Sequence, residues 1–88
     1  MNVMKSNRKG KRFMVEINGE VIHFGSKAGS TYIDHKDKQK RQNYLARHKV
    51  REDWTKINAG SLSRYLLWSG TSLKQNIKDY EKRFNLKN

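Results

Sequence analysis

The stretch Ala59-Gly60-Ser61-Leu62-Ser63-Arg64-Tyr65-Leu66-Leu67-Trp68 is where this polar chain can anchor a fold. Leu62, Tyr65, Leu66 and Ser69 follow the i, i+3, i+4, i+7 spacing of one helical face, and Leu67 and Trp68 add apolar bulk on neighbouring faces. A helix apolar on more than one side must be covered from more than one side. The spacing predicts a short central helix over Ser61–Trp68 on which the other elements pack.

Two further elements can cover it. Asn18-Gly19 between two alternating runs is the strongest short hairpin signal, because both central residues of a type I′ turn need positive φ. A two-residue loop sets Ile17 opposite Glu20, Val15 opposite Ile22 and Phe13 opposite Phe24. Cross-strand partners share a face, so these apolar residues project together while Met14, Glu16, Val21 and His23 take the other side. Such a hairpin needs helices beneath its apolar face to be stable. At the other end, Ser72 and Gln75 form an S-x-x-Q start signal. Leu73, Ile77, Tyr80 and Phe84 then recur as one amphipathic stripe, with charged residues opposite.

Between these elements, Gly25 to Ser30 is a small-residue loop. Its one lysine does not match the spacing of a phosphate loop, although backbone N–H groups there can meet an anion. Asp34 is placed as an N-cap with Asp37 three residues on, predicting a helix from about His35 to Val50. Its first half, His35 to Asn43, has no apolar residue on any face and is expected to project from the core. Tyr44, Leu45 and His48 form its docking patch. Asn58 or Ser61 can cap the central helix, and Trp54 is expected at the core edge. The expected class is α+β: an N-terminal β-hairpin packed on three α-helices. Residues 1–10 are read as a basic flexible arm and residues 11–88 as a single small domain.

The charge is large and uneven. Twenty Lys and Arg against eight Asp and Glu give +12, while hydrophobic residues are only 34% of 88. That is below the roughly 45–50% usual in globular chains even once glycine is counted, so a partner is expected to contribute some of the order. Lys5, Arg8, Lys9, Lys11 and Arg12 stand without an acid at the front. Lys36, Lys38, Lys40, Arg41, Arg47, Lys49 and Arg51 cluster with only Asp37 among them. These twelve residues are the candidate polyanion- or partner-binding set.

Other chemistries find less support. Cysteine is absent, which excludes disulfides and cysteine-ligated zinc. No apolar run approaches the roughly 18 residues of a membrane span, and the first residues carry no apolar secretory core. A soluble protein made inside a cell is the expectation. His23, His35 and His48 have no metal-ligand spacing, and the serines have no nucleophile-elbow pattern. Asp34, Asp37, Glu52 and Asp53 could be imagined as magnesium ligands, but each reads as a cap or a local counter-charge. No catalytic residue, metal or cofactor is expected, and the protein is read as a non-enzyme.

Phe24-Gly25, Tyr32 with Asp34-His35-Lys36-Asp37-Lys38, Tyr44-Leu45-Ala46-Arg47-His48, Arg51-Glu52-Asp53-Trp54, the Ala59–Trp68 series and Leu73 to Phe84 occur in one order. In this the chain resembles a family of short basic proteins encoded by giant double-stranded DNA viruses of algae and protists, the phycodnavirus and mimivirus relatives. The resemblance covers residues 11–86. It carries over no catalytic or binding residue. It implies a viral gene product, synthesised in the host cytoplasm and located in the virion. The expected function is therefore a small minor capsid or cement-type protein, docking through its basic arm and basic helix onto acidic capsid or other virion proteins. The alternative is a sequence-independent DNA- or RNA-binding protein for genome packaging or transcription, using the phosphate backbone.

Overall fold

Asn18 and Gly19 take φ of 53° and 81°, as the type I′ turn requires. They join strands β2 (Lys11–Ile17) and β3 (Glu20–Ser26) in the expected register, Phe13 with Phe24, Val15 with Ile22 and Ile17 with Glu20. The computed structural model describes residues 1–86, which form a small α+β domain.

The front of the chain is not a free arm. Val3–Lys5 forms strand β1, antiparallel to β2 with Val3 opposite Val15 and Lys5 opposite Phe13, so the sheet has three strands in the order β1-β2-β3. The Met1 amine lies 2.6 Å from Glu81 Oε2. The turn back into β2 closes through Lys11 N–H donating to the Arg8 carbonyl at 3.1 Å, with Gly10 at φ 82°. The cause is the exposed edge of β2, whose N–H and C=O groups accept a third strand, and Val3 adds apolar area to the face that covers the core.

The basic helix is also divided. Thr31, rather than Asp34, is the N-cap of a single-turn helix α1 (Tyr32–His35), in which Asp34 is the reciprocal capping-box acid. Lys36 turns left-handed at φ 57° and ends it. Asp37 then caps helix α2 (Lys38–Lys49), its Oδ1 accepting from Gln39 N at 2.9 Å and Lys40 N at 3.2 Å. The expected cap and its acid are thus the acid of one helix and the cap of the next. Burial of the Tyr32 side chain rewards the extra turn.

Asn58 caps α3 (Ala59–Leu62) reciprocally with Ser61, and the chain continues as a π-helical segment, Ser63–Leu67. The central stretch is the core: Leu62, Leu66 and Leu67 are fully buried, and Trp68 nearly so. It is covered from two sides. Leu67 lies under Gly25 of β3, where a Cβ would come within 3.0 Å of Leu67 Cδ1. Tyr65 meets Tyr80 of α4 (Leu73–Arg83) and Phe84 at the C-cap of that helix, with ring centroids 6.2 and 6.4 Å apart. Ser72 caps α4, and Tyr80 of the expected stripe is fully buried with its hydroxyl 2.8 Å from Ser61 Oγ. Leu86 N–H donates to the Glu81 carbonyl at 2.7 Å across a left-handed Asn85, closing α4 with a Schellman turn.

Candidate functional site

The twelve candidate cations divide into two that hold the fold and ten that face solvent. Arg12 grips Asp34 with both ends of its guanidinium, Nη1 to Oδ2 at 2.7 Å and Nη2 to Oδ1 at 2.8 Å, and Nη1 also donates to Thr31 Oγ1. The hydrogen bonds from Arg12 hold the Asp34 carboxyl well below the usual carboxylate range, and Asp34 raises the Arg12 guanidinium in turn. Arg41 was expected on a solvated half-helix. It instead folds back, Nε donating to the carbonyls of Trp68 at 2.9 Å and Ser69 at 3.1 Å, with its guanidinium over Tyr32. Those carbonyls follow the end of the central segment and lack helical partners, so a long cationic side chain supplies them. Lys5, Arg8, Lys9, Lys11, Lys36, Lys38, Lys40, Arg47, Lys49 and Arg51 are all exposed.

Some of the ten are brought together around the loop 27–31, between β3 and α1. A cleft of about 440 Å³ is lined by this loop, by Lys11 of β2 and by Arg47 and His48 of α2. A second groove of about 410 Å³ shares Ser30, Arg47 and Trp68 with it and adds Lys40, Asn43 and His35. A third, of about 370 Å³, joins Lys5 and Arg12 to Lys27. Lys5, Lys11, Lys40 and Arg47 therefore surround one loop although they come from three separate elements. Arg8, Lys9, Lys36, Lys38, Lys49 and Arg51 line none of these grooves. Lys27 was missing from the candidate set. Its only signal was the lysine in a glycine-rich loop, read there as a plain connection.

Aromatic rings support the two joined grooves. Tyr44 stacks on Trp68 at 4.2 Å with planes 5° apart, and on its other side meets His48 at 4.0 Å. His48 Nδ1 donates to Glu52 Oε2 at 2.9 Å, while Glu52 Oε1 accepts from Trp54 Nε1 at 2.8 Å. Glu52 thus serves a histidine and a tryptophan rather than the neighbouring lysines. Burial, and then the Glu52 charge, push the Tyr44 hydroxyl far above its ordinary value, so it stays protonated. At the other end of the stack His35 lies 5.4 Å from Trp68. Its Nδ1 accepts from Asp37 N–H at 2.9 Å, which leaves the proton on Nε2, a buried atom with no partner among the described residues.

A half-buried arginine was also not foreseen. Arg64, on the π-helical segment, lies against Trp54 and Tyr65, and its Nε and Nη1 have no partner among the described residues. Desolvation lowers its pKa from the ordinary value. Among the described residues no group of three or more His, Asp or Glu converges as a metal-ion site, and no helix is long and apolar enough to cross a membrane.

The fold and the grooves define a small α+β module with a basic, mostly unpaired surface. The chain belongs to the family of unknown function DUF5754, whose family model matches residues 1–48. That match spans the sheet, α1 and all but the last residue of α2, and so includes every cation that lines the grooves. No curated protein and no solved structure matches the chain.

Proposed function

We propose that this protein is a non-enzymatic binding module that docks its basic surface, without sequence preference, onto the phosphate backbone of nucleic acid. The observation that carries the reading is the make-up of the exposed surface. Among the described residues, the ion pairs engage Arg12, His48, Lys56 and the Met1 amine, and none of the ten exposed candidate cations. The large exposed hydrophobics are Met4, Val21 and Val50. Stable protein interfaces have an apolar centre, whereas backbone phosphate contact needs only cations.

A second reading keeps the virion role that the viral resemblance implies, with an acidic capsid protein as the partner. It is favoured by the outer face of the sheet, where Met4 and Val21 are exposed and Met14 is half-buried. That face offers the modest apolar contact a capsid partner would use.

Titration of labelled oligonucleotides at about 0.05 and 0.15 M salt separates the readings. The nucleic-acid reading expects micromolar affinity at the higher salt and a salt slope equivalent to several released counterions. Replacing Lys36, Lys38 and Lys40 together by Ser should weaken binding and lower the slope while leaving the melting curve in place. Absence of binding even at the lower salt would overturn it. Recovery of the protein in purified capsid shells would then support the second reading.

A further inference from the structure

We infer that the two joined grooves between the β3–α1 loop and α2 form a track for a single strand of nucleic acid, an inference that rests on the phosphate-binding reading above. Lys40, Asn43 and Arg47 stand at i, i+3 and i+7 on α2 and so share one helix face. All three line the second groove, and Arg47 also lines the first, where Lys11 joins it. Three cations with no ion-pair partner among the described residues therefore mark a path past Ser30 and Trp68, with Arg47 at the junction.

The dimensions and the lining favour unpaired nucleotides. Grooves of about 440 and 410 Å³ lie within the roughly 300–1,000 Å³ range of sites for small organic groups. Each is the size of a pocket for one nucleotide, and paired bases inside a duplex cannot enter such pockets. His48 lines the first groove with one ring face on Tyr44 and its side chain 37% exposed, which leaves the opposite face for a base to stack on. The second groove contains the Asn43 amide, whose Oδ1 already accepts from Gln39 Nε2 at 3.1 Å. Its remaining Nδ2 group is a donor, suited to phosphate or carbonyl oxygen. Among the described residues the one acid in the lining, Glu52, is already engaged by His48 and Trp54. A cationic groove edged by aromatic rings is the usual way to hold single strands without reading their sequence.

The test compares the full chain with two triple variants, each checked for an unchanged melting curve. The groove variant carries Lys11→Ser, Lys40→Ser and Arg47→Ser. The control carries Lys36→Ser, Lys38→Ser and Arg51→Ser, exposed cations that line neither groove. Binding is measured for a mixed-sequence single strand and a duplex of equal length, from about 0.05 to 0.2 M salt. At roughly 0.7 counterions per phosphate of single strand, loss of three contacts lowers the salt slope by about 2. Over this range the wild-type affinity for the single strand should then fall about 20-fold more than that of the groove variant. The control should keep the wild-type preference for single strand over duplex, and the groove variant should lose it.

Equal losses in the two variants, on single strand and duplex alike, would overturn the groove while leaving the phosphate-binding function intact. Failure of the unmodified protein to bind either nucleic acid would overturn both. Displacement of the single strand by a millimolar nucleoside monophosphate, with single strand binding no tighter than the monophosphate, would make the grooves a mononucleotide site and overturn the strand track.

Discussion

Replacing Asn76 should unseat the turn on which the central segment ends. Asn76 is 3% exposed on α4, the helix whose opposite faces otherwise divide cleanly into core and charge. Its Nδ2 donates to the carbonyls of Leu66 and Gly70, both at 2.9 Å, and its Oδ1 accepts from Gly70 N–H at 3.1 Å. In Asn76→Ala three backbone groups lose their partners. The Leu66 carbonyl is buried, so its loss costs about 1–3 kcal/mol. The two Gly70 groups are partly exposed and water can replace the side chain, at about 0.5 kcal/mol each. The sum is about 2–4 kcal/mol, a large share of the 5–15 kcal/mol typical of a domain. A chain of this size loses about 4–8 °C of melting temperature per kcal/mol, which predicts a drop of about 10–30 °C. Asn76→Asp should be at least as damaging, because a carboxylate oxygen would face two carbonyls. Thermal melts followed by circular dichroism, with exposed Lys74→Ala as the control, measure the difference. If Asn76→Ala melts within about 3 °C of the Lys74 variant, the reasoning that buried backbone carbonyls at the end of the π-helical segment need this amide is wrong.

Two further outcomes follow from the same geometry. Asp34→Ala removes a capping-box acid and a bidentate ion pair at a partly exposed site, and should cost about 1–2 kcal/mol at pH 7. The folded-state pKa of Asp34 is depressed, so its contribution is fully present above about pH 4, the unfolded value, and is lost as pH falls further toward the folded one. Denaturant titrations should therefore show wild type and variant converging at acid pH; a constant gap down to pH 2 would contradict the pairing. Gly25→Ala and Gly29→Ala both impose about 1–2 kcal/mol of left-handed strain. Only the former also drives a Cβ against Leu67 and Arg12, so it should be clearly the less stable of the two in the same melts, and equal stability would refute the close packing of β3 on the central segment.

Local chemistry was readable along the chain wherever the deciding residues are close in sequence. The type I′ turn, the hairpin register, the Asn58 and Ser72 caps and the core-facing stripe of Leu73, Ile77, Tyr80 and Phe84 depend on neighbours close in sequence, and each is found as expected, with Tyr80 buried and the other three partly so. Asp34 and Asp37 were recognised as capping acids, yet their roles shifted by one helix. Two caps in series leave the same pattern as one cap followed by a helical acid until Lys36 is seen in a left-handed conformation.

The site was legible as charge but not as geometry. Composition and spacing identified a strongly basic chain with two cationic segments, a hairpin and a central apolar stretch in need of cover. Only the tertiary structure decided that Val3–Lys5 joins the sheet, and that Lys5 and Lys40 border the loop that carries Lys27. It also decided which arginines are free. Arg12 meets Asp34 twenty-two residues away and Arg41 reaches Trp68 across twenty-seven, so neither partner is visible in a local window. A side chain's charge belongs to its residue, but whether that charge faces solvent depends on which distant acceptors the packed core brings within about 3 Å of it.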